Sequence, residues 1–146
     1  MKLSTLLKLI RFWPPFFGAG ISVKSFNPEY THLVVQMKMH FWNKNYVGTH
    51  FGGSLYSMTD PFYMLMLMKL LGKGYIVWDK SASIHYKKPA KGKIYAHFHL
   101  SQEQVDTIRH ELDTKTKIQP EFLIELTNEA GEVVAKVEKI LYIAKK

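Results

Sequence analysis

The chain has 146 residues, 47% of them hydrophobic and 22% charged, which suits one folded domain and argues against intrinsic disorder. It has no cysteine, which excludes a disulfide scaffold, thiolate-bound zinc, iron–sulfur clusters and a cysteine nucleophile. Twenty Lys and Arg against twelve Asp and Glu give a net charge of +8, which points to anionic partners: a phosphorylated ligand, nucleic acid or an acidic membrane surface.

Residues 1–13 read as a short amphipathic helix, with Leu3, Leu6, Leu7 and Ile10 on one side and Lys2, Lys8 and Arg11 among the polar positions. Pro14 and Pro15 are expected to stop it. The apolar run is too short and too charged to span a bilayer, and it lacks the uninterrupted core of a secretory signal. It is expected to pack on its own domain, with peripheral membrane contact through residues 1–13 as the alternative.

Alternation then takes over. Leu33, Val35, Met37, Met39 and Phe41 give a strand one mostly apolar face, after a turn at Asn27-Pro28. From residue 53 to 71 the sequence is apolar around nearly its whole circumference, with only Asp60 and Lys69 charged. Such a helix must be enclosed on most sides. Leu55, Tyr56 and Met58 favour one continuous helix with Pro61 inside it and a kink near Ser57. The other reading makes Asp60 an N-cap with Pro61 at the first helical position.

Strands return at Ala82, Ile84 and Tyr86 and, after a turn at residues 89–92, at Ile94, Ala96, Phe98 and Leu100. Ser101 and Gln104 fit a capping box for a second helix with the stripe Val105, Ile108 and Leu112. A hairpin turning at residues 128–131 ends the pattern. The sum is an α+β domain: residues 1–19 as an N-terminal helix and proline turn, and residues 20–146 as one unit. In it, a curved antiparallel sheet wraps one long helix, with an extra short helix between strands.

The segment NYVGTHFGGSLYSMTD, residues 45–60, resembles the helix-start motif of hotdog-fold thioesterases of the phenylacetyl-CoA thioesterase type. Asn45, Gly48, Gly52, Gly53 and Asp60 fall into register with that motif. SIHYKKPAKG, residues 83–92, looks like the family's strand and turn after the helix. With WPPFFGAGI near the N-terminus, the chain looks most like an uncharacterised branch of that superfamily. The resemblance implies a hotdog fold and hydrolysis of an acyl thioester. Asp60 would be general base or nucleophile, Asn45 would orient water or carbonyl, and Gly53 would lie at the oxyanion position. One position departs: Phe51 stands where the family has histidine, and His50 lies one residue earlier. That departure weakens the catalytic inference and leaves the fold inference intact.

Chemistry gives these residues a role of its own. Gly52 and Gly53 allow close approach and place free N–H groups at a helix start, where they can polarise a carbonyl. His50 and Phe51 stand beside them, and Lys87, Lys88 and Lys91 supply cations for coenzyme A phosphates. Met64, Met66 and Met68 suit either core packing or an acyl-chain lining. His97, His99 and Tyr95 share one strand face, with His85 expected on the corresponding face next door; a solvated patch is the expected reading rather than a metal site. Asp79 and Asp113 show no catalytic partner in the sequence.

No cofactor motif is present. The expectation is therefore a cytoplasmic homodimer or homotetramer that binds acyl-CoA, or another acyl thioester, and hydrolyses it. A noncatalytic acyl-CoA or lipid-binding module is the alternative, favoured by Phe51, and nucleic acid is not an expected partner.

Overall fold

The computed structural model describes residues 1–146. Helix α1 (Leu3–Leu9) passes through a 3-10 turn (Ile10–Phe12) into α2 (Pro14–Ala19). The two prolines thus open a helix as well as closing one. Trp13, before Pro14, is extended, and Pro14 and Pro15 occupy the first turn, where a missing N–H costs nothing. Leu7, Ile10 and Phe16 are buried in the main core. Gly20 ends α2 at φ 77°, and a Cβ there would stand 2.4 Å from the Lys38 carbonyl oxygen.

Strands β1 (Ile21–Phe26) and β2 (His32–Met37) form a hairpin in which Asn27 Oδ1 accepts from the Thr31 and His32 amides. The second strand stops at Met37, four residues short of the alternation in the sequence. Its last partner on β1 is Ile21, directly after the Gly20 turn, so nothing remains for Met39 and Phe41 to pair with. Asn43 holds the departing chain by donating to the carbonyls of Ala19 and Lys38.

Helices α3 (Gly52–Ser57) and α4 (Phe62–Leu71) follow, then β3 (Tyr75–Tyr86), β4 (Ile94–His99), α5 (Gln102–Thr114), β5 (Lys117–Ile118), β6 (Glu121–Thr127) and β7 (Val133–Lys145). The sheet is antiparallel in the order β1-β2-β4-β6-β7-β3, with β5 beside β7, and it curves around the α3–α4 segment. This is the hotdog architecture. The central helix comes in two pieces, parted at residues 58–61, where the Asp60–Pro61 peptide is cis. Asp60 is therefore neither inside a continuous helix nor the N-cap of α4, which is Pro61.

Phe62, Tyr63, Met66, Leu67 and Leu71 of α4 are buried against the concave face of the sheet. The enclosure is incomplete on the far side: Leu65 lies beneath Leu6, Leu9 and Trp13 of the N-terminal segment, while Met68 is half exposed. Ser101 and Gln104 form the capping box of α5 reciprocally, and Val105, Ile108 and Leu112 are its buried stripe. No helix is long and apolar enough to cross a membrane.

Candidate active site

The loop before α3 is built on Asn45. Its Oδ1 accepts from the Val47 and Thr49 amides, and its Nδ2 donates to Thr49 Oγ1 and the His50 carbonyl. Asn45 thus shapes the loop from inside. The next anchor is His50, whose amide donates to Ala90 O at 2.8 Å and whose ring Nε2 donates to Gly92 O at 2.7 Å. A carbonyl only accepts, so Nε2 carries the hydrogen. Burial pushes the His50 pKa down, and the Gly92 bond opposes that only in part. His50 therefore pins the helix-start loop to the turn after β3.

Phe51, 63% exposed, starts α3 in an extended conformation, and its carbonyl accepts from the Ser54 and Leu55 amides. The Gly52 and Gly53 amides donate to no protein acceptor. Both positions are crowded on the Cα side. A Cβ on Gly52 would lie 2.8 Å from Tyr86 Oη, and one on Gly53 would lie 2.6 Å from the Phe51 ring. The Phe51 ring is folded over Gly53.

A cleft of about 770 Å³ opens here, lined by His50, Phe51, Gly52, Gly53 and Tyr86, with Lys87, Lys88 and Lys91 on its rim. Seven of the nine residues expected at a site thus share one cleft; Asn45 and Asp60 do not line it. Lys88 pairs with Glu132 and holds that carboxyl below its usual range, whereas Lys87 and Lys91 make no ion pair.

Asp60 sits at the other end of α3, in the break. Its side chain is 48% exposed, and Oδ1 lies 3.7 Å from Nζ of Lys139. That lysine comes from β7 and has no exposed side-chain surface. Its Nζ stands 3.0 Å from Asp79 Oδ1 and donates to the Thr59 carbonyl at 3.4 Å. Asp79 is on β3, just before a bulge at Lys80, and its Oδ1 is buried without a well-directed hydrogen bond. Two carboxylates thus face one ammonium. Burial raises the Asp60 pKa first of all; Asp79 raises it further, and Lys139 pulls it back. The Tyr56 hydroxyl is raised too, by burial and then by the charges of Asp60 and Asp79.

Asp79 has an ion-pair partner that the sequence did not disclose, and Lys139 was missed altogether. One signal could have found the lysine. Ala135, Val137, Leu141 and Ile143 are the inward residues of β7, and Lys139 lies in the same phase. The histidine face also changes partner. His32 on β2 stacks edge-on against His97 and His99 at 5.9 and 5.8 Å, while His85 faces Lys136 on a distant strand.

Known structures share this architecture at low identity. A Pseudomonas aeruginosa protein named a probable thioesterase aligns with a TM-score of 0.85 and 18% identity, over 100% of this chain and 97% of its own. A Chlorobaculum tepidum protein of unknown function gives 0.79 and 19%, over 99% and 95%. A Haemophilus influenzae thioesterase gives 0.70 and 14%, over 99% and 92%. No curated protein matches the sequence. The family model described as "Domain of unknown function (DUF4442)" matches residues 3–143, so the chain belongs to that family.

Proposed function

We propose that this protein hydrolyses acyl thioesters of coenzyme A, with Asp60 as the base. The observation that carries the reading is Asp60 itself: a half-exposed carboxylate, fixed at a helix break and made more basic by burial. Asp60 takes a proton from water, and the water oxygen attacks the thioester carbonyl carbon. The C–S bond then breaks, and the proton passes to the departing thiolate, leaving an acid and a thiol. The free Gly52 and Gly53 amides are donors suited to the developing oxyanion. Asn45 contributes by holding the loop that presents them. Lys87, Lys88 and Lys91 meet the coenzyme A phosphates at the rim of the same cleft.

Asp60 lies beyond the far end of α3 and does not line the cleft that holds the Gly52 and Gly53 amides, so one subunit's amides and carboxylate are read as serving different carbonyls. Two copies solve this by supplying one group each. The long strand β3, unpaired along its outer edge, is the surface for that contact. The protein is read as acting in the cytoplasm. Lys2, Lys8 and Arg11, beside the exposed Leu9, Phe12 and Trp13, are the side that would touch an anionic membrane.

The test is a hydrolysis assay over acyl-CoA chain lengths, with acyl-pantetheine as the truncated substrate. Asp60→Asn should lower kcat by about 10² or more with KM little changed. Wild-type activity that survives Asp60→Asn would overturn the mechanism. A second reading, a noncatalytic acyl-CoA-binding module, is favoured by the Phe51 ring folded over Gly53. It predicts acyl-CoA binding without turnover by the wild type.

A further inference from the structure

We propose that Lys139 and Asp79 are positioning residues that act through Asp60, the buried ammonium joining both carboxylates and the Thr59 carbonyl into one unit that sets the basicity of Asp60. The inference rests on the reading of Asp60 as the base, which by itself says nothing of β3 or β7.

Packing alone does not explain Lys139. The inward positions on either side of it on β7 are Val137 and Leu141, and an aliphatic side chain would continue their row. A buried charge is costlier than such a side chain unless its partners compensate. Its partners are Asp79 at 3.0 Å, Asp60 at 3.7 Å and the Thr59 carbonyl at 3.4 Å. All lie at or opposite the helix break. Thr59 is itself fully buried and closes on the Tyr56 carbonyl through its hydroxyl, so the lysine grips a segment that is already fixed.

Charge gives the unit its chemistry. One ammonium balances one carboxylate, and the second is left against its neighbour in a partly dry site. A like charge in such a site raises the proton affinity of Asp60 above its value in water. Asp60 is the more exposed of the two, so it is the member that can exchange its proton with water or substrate. Asp79 makes Asp60 a stronger base, and Lys139 offsets part of that rise. The groups facing Asp60 are Tyr56 from α3, Asp79 from β3 and Lys139 from β7. The Tyr56 phenol is held above its usual range and stays neutral where Asp60 titrates, so it leaves the charge count unchanged.

The two partners therefore pull Asp60 in opposite directions, and only a positioning role carries that pull into kcat. Carbon-13 NMR of the full chain, labelled at aspartate carboxyls, reads the Asp60 midpoint directly, with Asp60→Asn for assignment. Asp79→Asn should lower that midpoint by about one unit or more, and Lys139→Met should raise it. In the acyl-CoA assay the acid limb should move with the midpoint, and Asp79→Asn should reduce kcat about tenfold at unchanged KM. An Asp60 midpoint that does not move in folded Asp79→Asn overturns the proposal, as does a shift upward. Should Lys139→Met fail to fold, the near-isosteric Asp79→Asn decides alone. Midpoints that move as stated in the variants, with a wild type that does not hydrolyse acyl-CoA, would retire the enzymatic reading and leave the coupling of Asp60 to Asp79 and Lys139 standing.

Discussion

Strand β7 carries two lysines that meet aspartates, and Asp113 beside one and Asp60 beside the other shift in opposite directions. Lys145 meets Asp113 at 2.8 Å near the strand's end, with both side chains in water. There the lysine does what an isolated cation does: its hydrogen bond and charge hold the Asp113 carboxyl low, and the carboxylate raises the ammonium. Six residues earlier, Lys139 lies 3.0 Å from Asp79 and 3.7 Å from Asp60, yet the Asp60 carboxyl rises. Burial and the second carboxylate outweigh the lysine there. A neighbouring lysine thus does not by itself fix the direction of the shift. The solvent it has lost, and the charges it must share, decide both sign and size.

The sharpest way to break this contrast is Lys139→Ala. Removing one member of a buried pair strands its partners and leaves a cavity, so urea unfolding should show a loss of about 3 kcal/mol or more. A loss below about 1 kcal/mol would mean the lysine reaches water after all.

His50 sharpens the point from another side, being buried like Lys139 but tied to a carbonyl instead of a charge. Its pKa is lowered in the folded state, so the unfolded chain binds the proton more readily. Stability should be full above about pH 6.5 and fall as the pH drops from there toward the lower folded value. His50→Gln should flatten that limb in unfolding curves taken between pH 5 and 8, and an unchanged limb would assign it elsewhere. The smallest effect belongs to Asp113→Asn, which should leave the unfolding midpoint unchanged within error at physiological salt. A measurable loss there would erase the difference between the two contacts.

Local features of the fold were legible because they are short-range. The capping box at Ser101 and Gln104, the α5 stripe and the hairpin turn at residues 128–131 each declare themselves within a few residues. The helix-start cleft was legible for the same reason, since His50, Phe51, Gly52 and Gly53 are contiguous and the lysine turn carries its own motif. The break at residues 58–61 was half visible. Asp60-Pro61 signalled a disturbance, but the apolar pattern on both sides argued for continuity. Asp79 and Lys139 were invisible as partners because β3, β7 and the helix break meet only once the sheet has curled. The early end of β2 was hidden likewise, because it depends on where its partner strand begins.

The order in which the strands are made has its own consequence. β7 is the last strand of the sheet to be synthesised, yet it pairs with β3, β5 and β6. Until it emerges from the ribosome, β3 has no partner on either side, and Asp60 and Asp79 face each other without their lysine. Folding of the whole domain must therefore wait for β7. Meanwhile the apolar faces of the earlier strands and of α4 stay open to other chains. Termination anywhere before β7 should therefore yield an aggregate rather than a smaller domain.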